Sequence, residues 1–139
     1  MYLHLLEENE KKDFLELAYH LMGVDGIHQD EEVAIFESYK HECSLHKYVI
    51  SKQNDLENVI NCFKTTSSLK TRKIILIELF GILLADGEVH ENEKTFIKHL
   101  TTSFEITNEE LEKMNKWVLA MDHIVKLGYT IINKGNDDV

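Results

Sequence analysis

A phrase that occurs twice constrains this chain more than any other feature. Val24-Asp25-Gly26 runs into Glu32, and Ala85-Asp86-Gly87 runs into Glu93, each residue 61 positions after its counterpart. Each time an apolar segment with helical spacing leads in and an amphipathic one leads out. One acidic turn between helices, made twice in 139 residues, predicts an all-α domain with an internal two-fold repeat, its halves about 14–45 and 75–106. An ungapped overlay pairs Leu21 with Ile82, Ile35 with Phe96, Phe36 with Ile97 and Tyr39 with Leu100. A one-residue gap instead sets Ile27-His28-Gln29-Asp30-Glu31 against Val89-His90-Glu91-Asn92-Glu93. The two overlays differ over whether Glu31 or Glu32 answers to Glu93; the ungapped one keeps the downstream apolar face in register.

The rest of the pattern is helical. The chain has no proline and shows neither strand-like alternation nor an Asn-Gly hairpin signal. Phe14, Leu17, Leu21 and Met22 predict a first helix before Asp25, and Val33, Phe36, Tyr39 and Cys43 a second. Asn54 with Glu57 has the spacing of a capping box before Leu56, Val59, Ile60 and Phe63, and Thr107 with Glu110 repeats it before the last helix. Ser67 or Ser68 can cap the most apolar stretch, where ten of twelve residues from Ile74 to Ala85 are apolar. This reads as the buried central helix, too short for a membrane span and interrupted by Glu78. Glu91 to about Ser103 predicts the next helix. The last carries Leu111, Met114, Val118, Met121 and Val125 and extends towards Ile132, with Gly128 as a break. The expectation is one domain, 1–139, of six or seven helices with a polar tail from Lys134.

Composition narrows the partners. Net charge is −10, from 25 acidic and 15 basic side chains, and Arg72 is the only arginine. Nucleic-acid binding needs a basic face, so it is a poor fit, as is an anionic membrane surface. Metal cations or the basic surface of a protein partner suit the charge better, and plain solubility accounts for it equally well. Cys43 and Cys62, without C-x-x-C spacing, predict two reduced, buried thiols in a cytoplasmic protein. The stretch Met1-Tyr2-Leu3-His4 lacks the basic-then-apolar order of a signal peptide.

Asp-Gly-x-(apolar)-x-x-x-Glu is also the back half of an EF-hand calcium loop. With Gly87 at the loop's sixth position, the first and third ligands would be Ile82 and Leu84; in the first copy they would be Leu21 and Gly23. Hydrocarbon cannot ligate calcium, so a standard EF-hand is rejected. What remains, Ala85-Asp86-Gly87-Glu88-Val89-His90-Glu91-Asn92-Glu93 between two helices, resembles the signature of the tellurite-resistance TerB family. The first copy departs from it, with Val24 for Ala and His28 at an apolar position. The likeness covers roughly Phe14 to Val125. It implies an all-helical fold, a bacterial stress-response setting, and divalent-cation binding through Asp25, Glu32, Asp86 and Glu93.

A non-enzymatic cytoplasmic interaction or sensor domain is therefore the leading expectation, with a calcium- or magnesium-type cation held by those four carboxylates. Two other readings stand beside it. A metal-assisted hydrolase would use the same carboxylates, with His28 or His90 as base. A structural scaffold would use each Asp to accept backbone hydrogen bonds and each Glu to complement a helix dipole.

Other motifs point less far. His41-Glu42-Cys43-Ser44-Leu45-His46 nearly matches H-E-x-x-H. Its histidines are five apart, roughly 140° around a helix instead of the zincin's roughly 40°, so only a loop could bring them together. No histidine has a Glu three residues before it, which argues against a di-iron bundle. No Walker loop, G-x-S-x-G or G-x-G-x-x-G occurs. Trp117 falls between core positions of the last helix, where packing or an interface would half-bury it.

Overall fold

The computed structural model describes residues 1–23, 30–84 and 89–135. Among these described residues six α-helices follow one another: α1 (Glu8–Gly23), α2 (Asp30–Glu42), α3 (Leu56–Thr66), α4 (Leu69–Leu83), α5 (Glu91–Ser103) and α6 (Asn108–Asn133). Short 3-10 turns occupy Leu3–Leu5 and Gln53–Asp55, and no strand occurs among the described residues. The architecture is all-α, as the spacing predicts.

Two helices form the centre. α4 is apolar nearly all round, which in water requires neighbours on every side. It packs against α1, α2, α5 and α6. α1 shares the interior with it: every residue from Asp13 to Ala18 is buried. Buried side chains from all six helices, among them Phe14, Phe36, Phe63, Leu79, Leu100 and Met114, join in one apolar cluster. Where α2 crosses α4, the Tyr39 hydroxyl donates to the Glu78 carbonyl, and Gly81 leaves room for that hydroxyl.

The helix ends follow local chemistry. The Ser68 hydroxyl accepts from the Thr71 amide at 3.1 Å and starts α4, and Thr107 accepts from Glu110 at 3.2 Å to start α6. The predicted Asn54–Glu57 capping box does not form. Asn54 lies in the 3-10 turn, α3 begins at Leu56, and its N-cap Asp55 makes no side-chain capping bond.

α2 and α5 have 13 residues each, and both their first and last residues are 61 positions apart. Both also end in a Schellman motif. After α2, Leu45 donates to the Lys40 carbonyl at 2.9 Å and Ser44 to His41 at 3.0 Å. After α5, Ile106 donates to Thr101 at 3.1 Å and Glu105 to Thr102 at 3.2 Å. The left-handed residue each motif requires is a non-glycine, Ser44 at φ 57° and Glu105 at φ 58°.

Three expectations need correction. Val33 is 37% exposed, because the buried face of α2 is centred on Glu32, Phe36 and Tyr39 and Val33 stands at its edge. Cys62 is exposed and only Cys43 is buried, since α3 turns Val59, Ile60 and Phe63 inward and Cys62 to solvent. Gly128 does not break α6, which runs on to Asn133, and Val125 stands clear of the core.

Candidate functional site

In sequence, each Asp-Gly segment falls between a central helix and an outer one: α1 and α2, and α4 and α5. Asp25 and Asp86 lie outside the described residues, as do Gly26, His28 and Gly87. The two glutamates are described, and they occupy matching places. Glu32 is the third residue of α2 and 2% exposed; Glu93 is the third residue of α5 and 1% exposed. Glu31 is exposed, so Glu32 shares both helix position and burial with Glu93.

A carboxylate taken out of water loses several kcal/mol of hydration unless its surroundings replace it. A helix start replaces part of it, through free amides and the positive end of the dipole. At α5 one such contact is visible: the His90 amide donates to Glu93 Oε1 at 3.0 Å. His90 is therefore the N-cap of α5, a role its sequence position did not announce, and it is half-buried.

The flanks of the two turns meet. The His20 ring, in the last turn of α1, lies 4.7 Å from the Phe96 ring of α5, centroid to centroid. Beside this contact is an open cavity of about 570 Å³ lined by His20, Gly23, Asn92, Thr95, Phe96 and His99. Gly23 is the last residue before the first acidic turn, and Asn92 immediately precedes Glu93. Burial pushes the His20 imidazole below its ordinary pKa, against a hydrogen bond with Gln53 that pulls it up. His99 Nε2 meets Glu57 Oε1 at 2.8 Å, tying α5 to α3 across the far wall.

Other buried acids have structural work. Glu16, fully buried in α1, accepts from the Tyr48 hydroxyl, from the Ser51 amide at 3.0 Å, the Lys52 amide at 2.8 Å and Gln53 Nε2 at 3.2 Å. Burial alone would raise its pKa, but these bonds outweigh burial and hold it below the usual carboxylate range. One carboxylate thus fastens the connection between α2 and α3 onto α1, and Lys52 adds an ion pair with Asp13 at 2.7 Å. Glu78 is the opposite case. Burial keeps its pKa raised despite the Met1 ammonium at 3.2 Å and the Tyr2 amide at 3.3 Å. The sequence signal for both was a charged residue inside an otherwise apolar helical run.

α2 ends at Glu42 and the chain turns at Ser44, so His41 and His46 come together after all, with ring centroids 5.0 Å apart. Among the described residues, no group of three or more His, Cys, Asp and Glu side chains is placed to hold a metal ion. No described helix is long and apolar enough to cross a membrane.

These features define an acidic all-α domain whose two helix pairs each carry a buried glutamate at the start of the second helix. The chain matches the family described as Tellurite resistance protein TerB over residues 4–116 and belongs to that family. Compared with curated proteins and with solved structures, it has no match in either set.

Proposed function

We propose that this TerB-family chain is a non-enzymatic interaction or sensor domain of a bacterial stress response, acting in the cytoplasm. In this reading it takes up a divalent cation of calcium or magnesium type at its acidic inter-helix turns. The observation that carries it is the burial of Glu32 and Glu93 at one helical position, each downstream of an Asp-Gly turn. A hard cation bound by the preceding aspartate and this glutamate would offset the lost hydration with oxygen coordination. The matching bounds and C-terminal motifs of α2 and α5 support treating the two turns as equivalent halves of a repeat. Because the end of α1 faces the start of α5, filling one turn would reset the packing beside the other. That coupling is the physical basis for a sensor.

The His90–Glu93 contact favours a second reading, in which the glutamates only complete helix starts. Thermal unfolding with calcium, magnesium, manganese and zinc, beside an Asp25→Asn/Asp86→Asn variant, separates the two. Cation binding predicts a saturable rise in Tm for one cation, by linkage, absent in the variant. A Tm that no cation moves selectively, with a variant that is merely less stable, would leave the carboxylates as capping groups.

A further inference from the structure

Two histidines at the far end of α2 have no part in the acidic turns. His41 lies in the last turn of the helix and His46 in the loop beyond it, and both are exposed. On a continuous helix they would diverge by roughly 140°. The Schellman motif brings them back: with Ser44 at φ 57°, its amide donates to the His41 carbonyl and the Leu45 amide to Lys40. The rings then stand 5.0 Å apart, centre to centre, with 62° between their planes. Because backbone hydrogen bonds close this turn, little ordering is needed to bring both side chains to one ligand.

We propose that His41 and His46 together hold one divalent transition-metal ion of the zinc, nickel and copper class, with water completing its coordination. The ring separation carries this furthest. Zinc binds an imidazole nitrogen at about 2.0–2.1 Å and the ring centre lies about 1.2 Å further on, so two rings on one tetrahedral ion stand about 5 Å apart. Turning either ring about its Cβ–Cγ bond, a soft torsion, re-aims the nitrogens while the ring centre stays in place. The neighbouring groups select the ion. Glu42, between the two histidines, is committed to the Met1 ammonium at 2.8 Å and the Leu3 amide at 3.0 Å. A cavity of about 440 Å³ beside His46 gives waters room, but Lys12 and Lys47 line it as well as Glu8. A hard ion such as calcium needs several oxygens and finds few there, whereas imidazole nitrogen suits zinc, nickel and copper. The negative end of the α2 dipole also favours a cation at this place.

Calorimetric titration of the full chain with zinc and with nickel chloride tests this, beside His41→Ala, His46→Ala and a His123→Ala control on α6. The native protein and the control should bind with one affinity, and each of the other two variants at least about tenfold more weakly, since a chelate loses its second attachment. All four should share one Tm without metal, because these rings are exposed. The Asp25→Asn/Asp86→Asn variant should keep the zinc affinity of the native chain, so the histidine pair and the acidic turns succeed or fail separately. A native chain that binds neither zinc nor nickel overturns the proposal. So does a loss confined to one of the two substitutions, because a shared ion needs both rings.

Discussion

Gly81 sits in the last turn of α4, where Ala in place of Gly ordinarily stabilises a helix by up to about 1 kcal/mol. Here the sign should reverse. A Cβ at Gly81 falls inside contact distance of the Tyr39 hydroxyl oxygen, with the ring carbon Cζ at 3.6 Å. Tyr39 cannot swing aside easily: it is buried, its hydroxyl donates to the Glu78 carbonyl, and its ring packs edge-on against Phe14 at 5.3 Å. Gly81→Ala therefore breaks a buried hydrogen bond, about 1 kcal/mol, and adds roughly 1–3 kcal/mol of overpacking. After the helix gain, the net loss is about 1–3 kcal/mol, a fall in Tm of several °C.

Tyr39→Phe removes the obstructing oxygen at a cost of about 1 kcal/mol. In that background the nearest atom to the new methyl is Cζ at 3.6 Å, an ordinary contact, so Gly81→Ala should now stabilise by up to about 1 kcal/mol. Urea denaturation of the four proteins, followed by far-UV circular dichroism, gives the coupling directly. We expect about 2–3 kcal/mol, the upper range for residues in contact. If Gly81→Ala has the same sign and size in both backgrounds, the close approach of α2 to α4 through Tyr39 is wrong.

Two further outcomes follow from buried groups. Glu16→Gln should cost about 2 kcal/mol at neutral pH, since hydrogen bonds to a charged group are lost from a buried site. Because the folded carboxyl titrates below its ordinary 4.5, this contribution is full above that value and disappears as pH falls through the folded pKa. Urea midpoints at pH 7 and in the acid range should therefore converge; a gap that stays constant into strong acid would refute the assignment. Thiol titration with a disulfide reagent should label one cysteine in the native protein and two after unfolding. Cys62 is exposed, whereas burial shields the Cys43 thiol and raises its pKa to about 11. Equal native reactivity would contradict that burial.

The helices were legible because their apolar spacing reports burial directly. Phe14, Leu17, Leu21 and Met22 are all buried, as are Phe36 and Tyr39. The bounds of α5 fall where Glu91 and Ser103 suggested. Where the reading erred, a local signal met competition from the fold. Asn54–Glu57 has capping-box spacing, but the preceding segment is fastened to Glu16 and enters α3 through a 3-10 turn. The apolar spacing of α6 continues past Met114, and periodicity cannot distinguish a face turned to this core from one that is exposed, as Ile124 and Ile131 are. At the candidate site the matching helix positions of Glu32 and Glu93 were readable from their shared 61-residue offset. Their burial was not, because either glutamate would suit an exposed first turn equally well. The meeting of α1 with α5 at His20 and Phe96 depends on a tertiary packing that no short motif encodes.

The unbroken burial of α1 from Asp13 to Ala18 has a consequence for how such a chain can vary. An ordinary surface helix has a wet side on which substitutions accumulate at little cost; this stretch has none. Even its two acids are committed, Asp13 to Lys52 and Glu16 to the Tyr48–Gln53 segment. Any drift there must be matched by change in another element. Divergence among chains of this architecture should therefore concentrate on the outer faces of α2, α3 and α5, leaving α1 as the slowest-changing ruler against which the rest is aligned.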